Sequence, residues 1–257
     1  MAYKLFDLSH PHRLGAPMWP RLAPDAGAFA GVTAAGIRDW PCVRGTLGAA
    51  VPGTHFHGGT HMDAPIYCID YGAGIDTIPL ENCYGTGVVV DFRNKKKWDK
   101  ITAEDFEKAT PKIEPGDFVV CNTGWQKWYR KEDYVYYHHY PGLVPSAAEW
   151  LIKKKVKAIA GTWATLDHSL AFPPLNTFMP WLYNEYKTET GKDPIGEFPN
   201  YEPCLPMLIK AGITCIQNAG GVIDEVTGKR CKLLAFPIRL TGGADASMVR
   251  LVAIVEG

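Results

Sequence analysis

Short apolar runs rich in β-branched residues recur along the chain and predict strands. The clearest are residues 87–92 (GVVVDF), 117–121, 156–160, 213–217 and 248–255. Apolar runs of this length without polar alternation are typical of strands that a sheet buries on both faces. Such strands need helices or loops to cover them.

Helix signals stand between these runs. Residues 102–109 are expected to form a short helix that ends before Pro111, and residues 146–149 (SAAE) read as a capping box. A third helix is expected over residues 204–211, with Gly212 as its stop. Because strands and helices interleave, we expect an α/β (α+β) fold with a compact β-rich mixed sheet and flanking helices.

The composition excludes several classes of function. Lys+Arg and Asp+Glu number 27 each, so no charge excess points to nucleic acid or an anionic membrane. No apolar stretch approaches the ~18 residues of a transmembrane helix, and the N-terminus lacks the apolar core of a signal peptide. The seven cysteines are scattered without a C-x-x-C pair. We expect reduced thiols, a cytoplasmic location and one domain over residues 1–257.

The segment 57–65 (HGGTHMDAP) carries the chemistry. His57, His61 and Asp63 place three good metal donors within seven residues. Imidazole and carboxylate together suit Zn or Mn. The two glycines between the histidines would cost a helix about 2 kcal/mol relative to two alanines. We therefore expect a strand end or tight loop that bends around an ion.

The pattern H-x-G-T-H-x-D-x-P resembles the signature of the metal-dependent cyclase family, which includes bacterial kynurenine formamidases and isatin hydrolases. Residues 7–9 (DLS), 17–20, 141–143 and 242–247 resemble further elements of that family in the same order. The resemblance implies a β-rich α/β core, a small-molecule substrate, and hydrolysis of an amide, lactam or lactone by metal-activated water. It also implies a homodimer or homotetramer.

The chain departs from the kynurenine formamidase pattern at three positions. Tyr67 stands where that subfamily has a histidine as acid/base, and Leu205 and Gln217 stand where it has ligands of a second metal ion. A leucine cannot ligate, and an amide oxygen is a weaker donor than a carboxylate. We expect one divalent ion per chain, Mn or Zn, in a site closer to that of isatin hydrolase. Gln217 is then a further ligand, an orienting group for water, or a buried amide bonded to the backbone.

Two residues are candidates for the proton chemistry. Tyr67, with an ordinary pKa of about 10, suits an oxyanion donor or a perturbed acid better than a base. His168 follows the predicted strand over residues 156–162, and strand ends of such sheets commonly face the active crevice. It is the candidate base, and a structural role in hydrogen bonding stays open beside the catalytic one.

The leading hypothesis is a metal-dependent hydrolase of amides, cyclic amides or imides, or lactones. A metal-dependent lyase, dehydratase or isomerase on the same scaffold is the alternative, and a non-catalytic metal or small-molecule binding protein is the third possibility. The aromatic stretch 172–201 is expected to form either a lid over a ring-containing substrate or an oligomer contact.

Overall fold

A large mixed sheet organises the molecule. The computed structural model describes residues 2–11, 56–172 and 174–256. The strands of this described part are β1 Tyr3–Asp7, β2 His61–Asp63, β3 Tyr84–Asp91, β4 Lys100–Ile101, β5 Phe118–Asn122, β6 Gly142–Leu143, β7 Ala158–Gly161, β8 Thr214–Gln217, β9 Arg230–Leu234, β10 Ala246–Met248 and β11 Val252–Glu256. Nine of them form one sheet in the order β1-β11-β9-β3-β5-β7-β8-β2-β10, and β4 pairs with β6.

Helices connect and cover these strands. Within the described residues they are α1 Ala103–Glu107, α2 Asp133–His138, α3 Pro145–Lys154, α4 Leu175–Phe178, α5 Pro180–Thr190, α6 Pro194–Glu197 and α7 Cys204–Lys210. Short 3₁₀ turns supplement them, among them Pro65–Tyr67 directly after β2. The predicted α/β fold class with a mixed sheet is confirmed.

The middle of the sheet is parallel and its margins are antiparallel. Strands β3, β5, β7 and β8 pair in parallel, whereas β9, β11 and β1 on one side and β2 and β10 on the other are antiparallel. All residues of β5, β7 and β8 are buried, as the apolar runs predicted.

Each face of the sheet has its own apolar core. Val88 and Val90 of β3 point into the helix-side core, which includes Leu151 of α3 and Leu208 of α7. Val89 points to the opposite core, with residues of β1, β2 and β11. This alternation follows from the two-residue period of a strand.

Two details of the predicted elements are wrong. Helix α3 begins at Pro145 after Val144, and no side chain caps it, so the SAAE segment is no capping box. Proline suits the first helical position because its missing N–H would have no partner there. The apolar run 248–255 divides into β10 and β11, which pair with different neighbours.

The stretch 172–201 contains helices α4, α5 and α6, and it packs on the helix-side core through buried side chains such as Leu182 and Phe198. An ionic cluster ties α5 to the body. Lys97 Nζ lies 2.8 Å from a carboxylate oxygen of Glu185 and 2.8 Å from one of Glu189, and Tyr134 donates to Glu185 at 2.6 Å. The lid and oligomer-contact roles stay predictions, as does the single domain.

In the described part of the chain, no helix combines the length and apolarity that crossing a bilayer requires. The six cysteines of that part form no disulfide.

Candidate metal centre

Strand β2 places His61 and Asp63 on one face of the sheet, because alternate residues of a strand point to the same side. Met62 between them is fully buried in the opposite core. In the antiparallel register Asp63 lies opposite Cys215, a residue of the helix-side core. The two candidate ligands therefore face the helix side, next to β8 at the margin of the parallel strands.

His57 approaches the same point from the turn that precedes β2. Gly59 in this turn has a φ of +66°, a left-handed conformation that favours glycine. The carbonyl oxygen of Gly59 lies 2.8 Å from His61 Nδ1. The prediction of a tight loop leading into a strand, in place of a helix, is confirmed.

The three side chains converge on one carboxylate oxygen. His57 Nδ1 lies 3.1 Å and His61 Nε2 3.5 Å from Asp63 Oδ1. One ligand atom from each residue falls within 4.8 Å of the others, and no second such His, Cys, Asp and Glu group occurs among residues 2–11, 56–172 and 174–256. Asp63 and His61 are each 1% exposed. Two of the three donors are thus fully buried, and His57 is partly buried beside them.

The hydrogen bonding of His61 tests whether this donor set fits a metal ion. Its Nδ1 contacts the Gly59 carbonyl, an acceptor, so Nδ1 carries the proton and donates. Asn218 Nδ2 also lies near this nitrogen, but at 3.4 Å the contact is too long to decide the tautomer. The Nε2 lone pair consequently faces Asp63 Oδ1. A lone pair and a carboxylate oxygen that face one another are stabilised by a positive charge between them, so the residues fit a divalent ion.

Electrostatics lead to the same conclusion at His57. Burial alone would lower the pKa of its imidazole, but hydrogen bonds and charge interactions with Asp245 and Asp63 outweigh burial and raise that pKa to about 10. The pocket around His57 therefore stabilises positive charge at this position. The same two carboxylates would stabilise a divalent metal ion, which carries two positive charges where a protonated imidazole carries one.

Sequence comparison identifies the group of proteins to which this site belongs. A family model described as "Putative cyclase" matches residues 6–168, well over half of the chain. The chain belongs to this family. It is 24% identical to a kynurenine formamidase of Erythrobacter litoralis across 97% of this chain and 93% of that protein. An isatin hydrolase of Roseibium aggregatum is 32% identical across 39% of this chain and 44% of that protein.

Solved structures share the cyclase-family fold. An isatin hydrolase bound to the product analogue thioisatinate superimposes with a TM-score of 0.68 at 19% identity, over 99% of this chain and 93% of that one. At this identity the likeness shows the fold alone. The resemblance drawn from the H-x-G-T-H-x-D-x-P pattern is confirmed.

Gln217 of β8 lies directly beside His61 and Asp63 of β2. It pairs with His61 across β8 and β2, and its amide nitrogen donates to Asp63 Oδ2. Because a carboxylate accepts and does not donate, the amide oxygen must point away from it. Asp63 is thereby held with its other oxygen, Oδ1, toward the histidines. A role for Gln217 as a ligand stays a prediction.

Tyr67 and Leu205 have opposite surroundings. The Tyr67 ring lies beside the His57 ring, with 4.7 Å between centroids, at the end of the 3₁₀ turn that begins at Pro65. The 3₁₀ turn after β2 therefore brings Tyr67 to the candidate metal centre. Leu205 is 1% exposed in the helix-side core, and its backbone N–H donates to Asp167.

His168 is bonded through both ring nitrogens to the backbone. Its Nε2 donates to the Trp98 carbonyl at 2.9 Å, and its Nδ1 accepts from the Leu170 N–H at 3.2 Å. The ring stacks on Phe198 with 4.0 Å between centroids. Burial lowers the pKa of His168 to about 4. These contacts favour the structural role, and the catalytic role stays a prediction.

The titration of His168 predicts a loss of stability in acid. The unfolded chain gains a proton near pH 6.5, whereas the folded chain resists it until about pH 4. The free energy of unfolding should therefore fall by about 3 kcal/mol as the pH drops through this window, and it should be unaffected above it. Urea unfolding from pH 7 to pH 4 measures this slope.

A His168→Gln variant provides the matched control, because glutamine keeps a donor and an acceptor without titrating. Its stability curve should be flatter than the wild-type curve between pH 6.5 and pH 4. The charged residues near His168 are Lys100 and Glu197, which pair with 2.7 Å between Nζ and Oε2. The hydrogen bond from Lys100 lowers the pKa of Glu197. Parallel curves for the two proteins would contradict the assignment.

Sequence reasoning assigned no role to two residues that the structure brings to the centre. Asp245 is 2% exposed, and its Oδ2 lies 3.4 Å from His57 Nε2. Asn218 has a left-handed φ of +57° directly after β8, and its side-chain oxygen accepts from the Tyr136 hydroxyl at 2.7 Å. The available signals for Asp245 were its place in residues 242–247, which resemble a cyclase-family element, and its position next to an apolar strand.

Among the described residues, a cavity of about 600 Å³ lies near the start of β2 and the end of β10. Thr60, the residue before His61, lies in its wall together with Met248, the partner of His61 in the β2–β10 register. His10 and Phe236 complete this side of the wall. The volume is that of a typical small-molecule site.

Proposed function

We propose that this protein is a metal-dependent hydrolase that cleaves an amide, a cyclic amide or imide, or a lactone. The observation that carries the proposal is the convergence of the partly buried His57 with the buried His61 and Asp63. Its relatives support the reaction class, because a formamidase and an isatin hydrolase are both named for hydrolysis. When bound at such a centre, a divalent ion, Mn or Zn, supplies Lewis-acid polarisation of a carbonyl and activation of water.

The chain's own residues would orient the reaction. His61 is fixed by the Gly59 carbonyl and Asp63 by Gln217, so the donors keep their positions before substrate enters. Such preorganisation lowers the barrier because no reorganisation is needed during the reaction. We assign to Tyr67 a hydrogen bond to the oxyanion that forms at the attacked carbonyl. Its place beside the His57 ring supports this role.

We further propose that one ion is held per chain, closer to isatin hydrolase than to kynurenine formamidase. Leu205 lies in the apolar core, and the amide nitrogen of Gln217 donates its hydrogen bond to Asp63. Neither arrangement supports a second ion. The cavity of about 600 Å³ that Thr60 and Met248 line has room for a small cyclic substrate. A homodimer or homotetramer and a cytoplasmic location stay predictions.

Elemental analysis paired with a substrate screen tests the proposed function. The purified protein should contain about one Mn or Zn ion per chain. Isatin, N-formylkynurenine, lactams and lactones would be offered, and the expected product is heavier than its substrate by one water. Metal-stripped protein reloaded with Mn or Zn is the control, and its activity should return with the ion.

The other outcomes separate the competing functions. A product lighter by one water would identify a lyase or dehydratase, and a product of unchanged mass would identify an isomerase. A loaded protein that turns over nothing across the panel would favour the binding-protein hypothesis. Two ions per chain would overturn the single-ion assignment and leave the hydrolase to be judged by product mass.

A further inference from the structure

Asp245 is a buried acid that the proposed reaction does not use. Gly242 and Gly243 precede it with φ values of +84° and +81°, which glycine adopts without strain. The turn they form leads into β10, and the Asp245 carbonyl accepts from the Ala64 N–H at 2.8 Å. Asp245 is thereby fixed beside residues 57–65, and the residue as a whole is 2% exposed.

The imidazole of His57 lies between two carboxylates. Its Nδ1 is 3.1 Å from Asp63 Oδ1, and its Nε2 is 3.4 Å from Asp245 Oδ2. The two nitrogens lie on opposite sides of the ring. Only one of them can therefore face the point where the His61 and Asp63 donor atoms meet.

The shared oxygen decides which nitrogen that is. Asp63 Oδ1 is the atom approached by both histidines, by Nδ1 of His57 and by Nε2 of His61. Asp245 lies on the far side of the His57 ring and outside the group of ligand atoms that share the 4.8 Å spacing. An ion seated with Asp63 would thus meet Nδ1 of His57.

We propose that Asp245 is a positioning residue that accepts the Nε2–H of His57 and thereby presents Nδ1 to the ion. His61 binds the same ion through Nε2 because the Gly59 carbonyl holds its Nδ1–H. The two histidines therefore ligate through different ring nitrogens. This inference rests on the proposed metal site. A carboxylate behind a ligating histidine fixes the tautomer and makes the imidazole a stronger donor.

Nuclear magnetic resonance of the zinc-loaded protein tests the assignment without a variant. With ¹⁵N-labelled histidine, long-range proton–nitrogen correlations distinguish metal-bound, protonated and free ring nitrogens. We expect zinc on Nδ1 of His57 and on Nε2 of His61, with the proton on the other nitrogen of each. Zinc on Nε2 of both residues would overturn the inference.

Zinc affinity measured by competition with a chelator provides the second test. Asp245→Asn, which keeps the shape and removes the charge, and Asp245→Ala are each expected to bind zinc 10- to 100-fold more weakly. Asp70→Asn removes an exposed carboxylate seven residues beyond Asp63 and should bind zinc as the wild type does. Wild-type affinity in both Asp245 variants would overturn the inference.

The two proposals fail differently. Wild-type protein that binds neither zinc nor manganese would overturn the proposed function and this inference together. Wild-type protein that binds zinc while the Asp245 variants retain full affinity would overturn the inference alone. If an Asp245 variant does not fold, the resonance measurement on the wild type still decides.

Discussion

Replacing His61 with alanine is expected to remove the bound metal and lower kcat/KM by about 10³-fold. The change deletes the imidazole of His61. The Gly59 carbonyl holds Nδ1 of that ring, so the lone pair of Nε2 faces Asp63. A bound ion contributes several kcal/mol of charge stabilisation to such a reaction, which corresponds to about 10³-fold in rate. Metal content and kcat/KM on the substrate found by the screen measure the two effects.

Controls separate this loss from a loss of folding. The melting temperature of His61→Ala is compared with that of the metal-free wild type, because neither protein has the ion. Asp70→Asn, at an exposed position seven residues beyond Asp63, should retain metal and activity. A His61→Ala protein with a full metal complement and the wild-type rate would contradict the site.

Replacing Gly161 with alanine is expected to destabilise the fold by about 3 kcal/mol, which lowers the melting temperature by roughly 10 °C. A Cβ at this last residue of β7 would overlap the indole ring of Trp163. That ring is fully buried and cannot move aside. Differential scanning calorimetry measures the shift.

The same change should also loosen the metal centre. The carbonyls of Gly161 and Trp163 accept from the N–H groups of Ala219 and Asn218, with distances of 2.8 and 2.9 Å, directly after Gln217 of β8. A displaced Trp163 would therefore shift the residues that hold Asp63. Gly196→Ala in α6, where the nearest atoms to a new Cβ lie at 4.0 Å, is the matched control and should melt as the wild type does or slightly higher. Equal melting of both variants and the wild type would contradict this packing.

The sequence predicted those parts of the fold whose signals are local. The valine run of β3 and the apolar run of β5 indicate buried strands by themselves, and the three donors of the metal segment are contiguous in the chain. Strands β1 and β9 were missed because each has only five residues and few buried ones: the first three residues of β1 are exposed, and β9 alternates exposed and buried positions.

Asp245 and His168 show why the rest of the site needed the structure. Asp245 joins the centre through the register of β10 against β2, and no local pattern encodes which strands pair. The environment of His168 depends on Phe198, which follows the helices of the stretch 172–201. A histidine in a turn gives no indication of which distant aromatic ring will cover it.

The position of β2 between β8 and β10 has a consequence for the order of events in the protein's biogenesis. Asp63 and the Gln217 that holds it are 154 residues apart, and Asp245 follows later still. A ribosome synthesises the His57–Asp63 segment long before its partner strands exist, and such long-range pairings form late. We therefore expect the ion of the proposed site to be acquired after translation, once the sheet is assembled, and we expect a truncated nascent chain to carry the ligand sequence without retaining the ion.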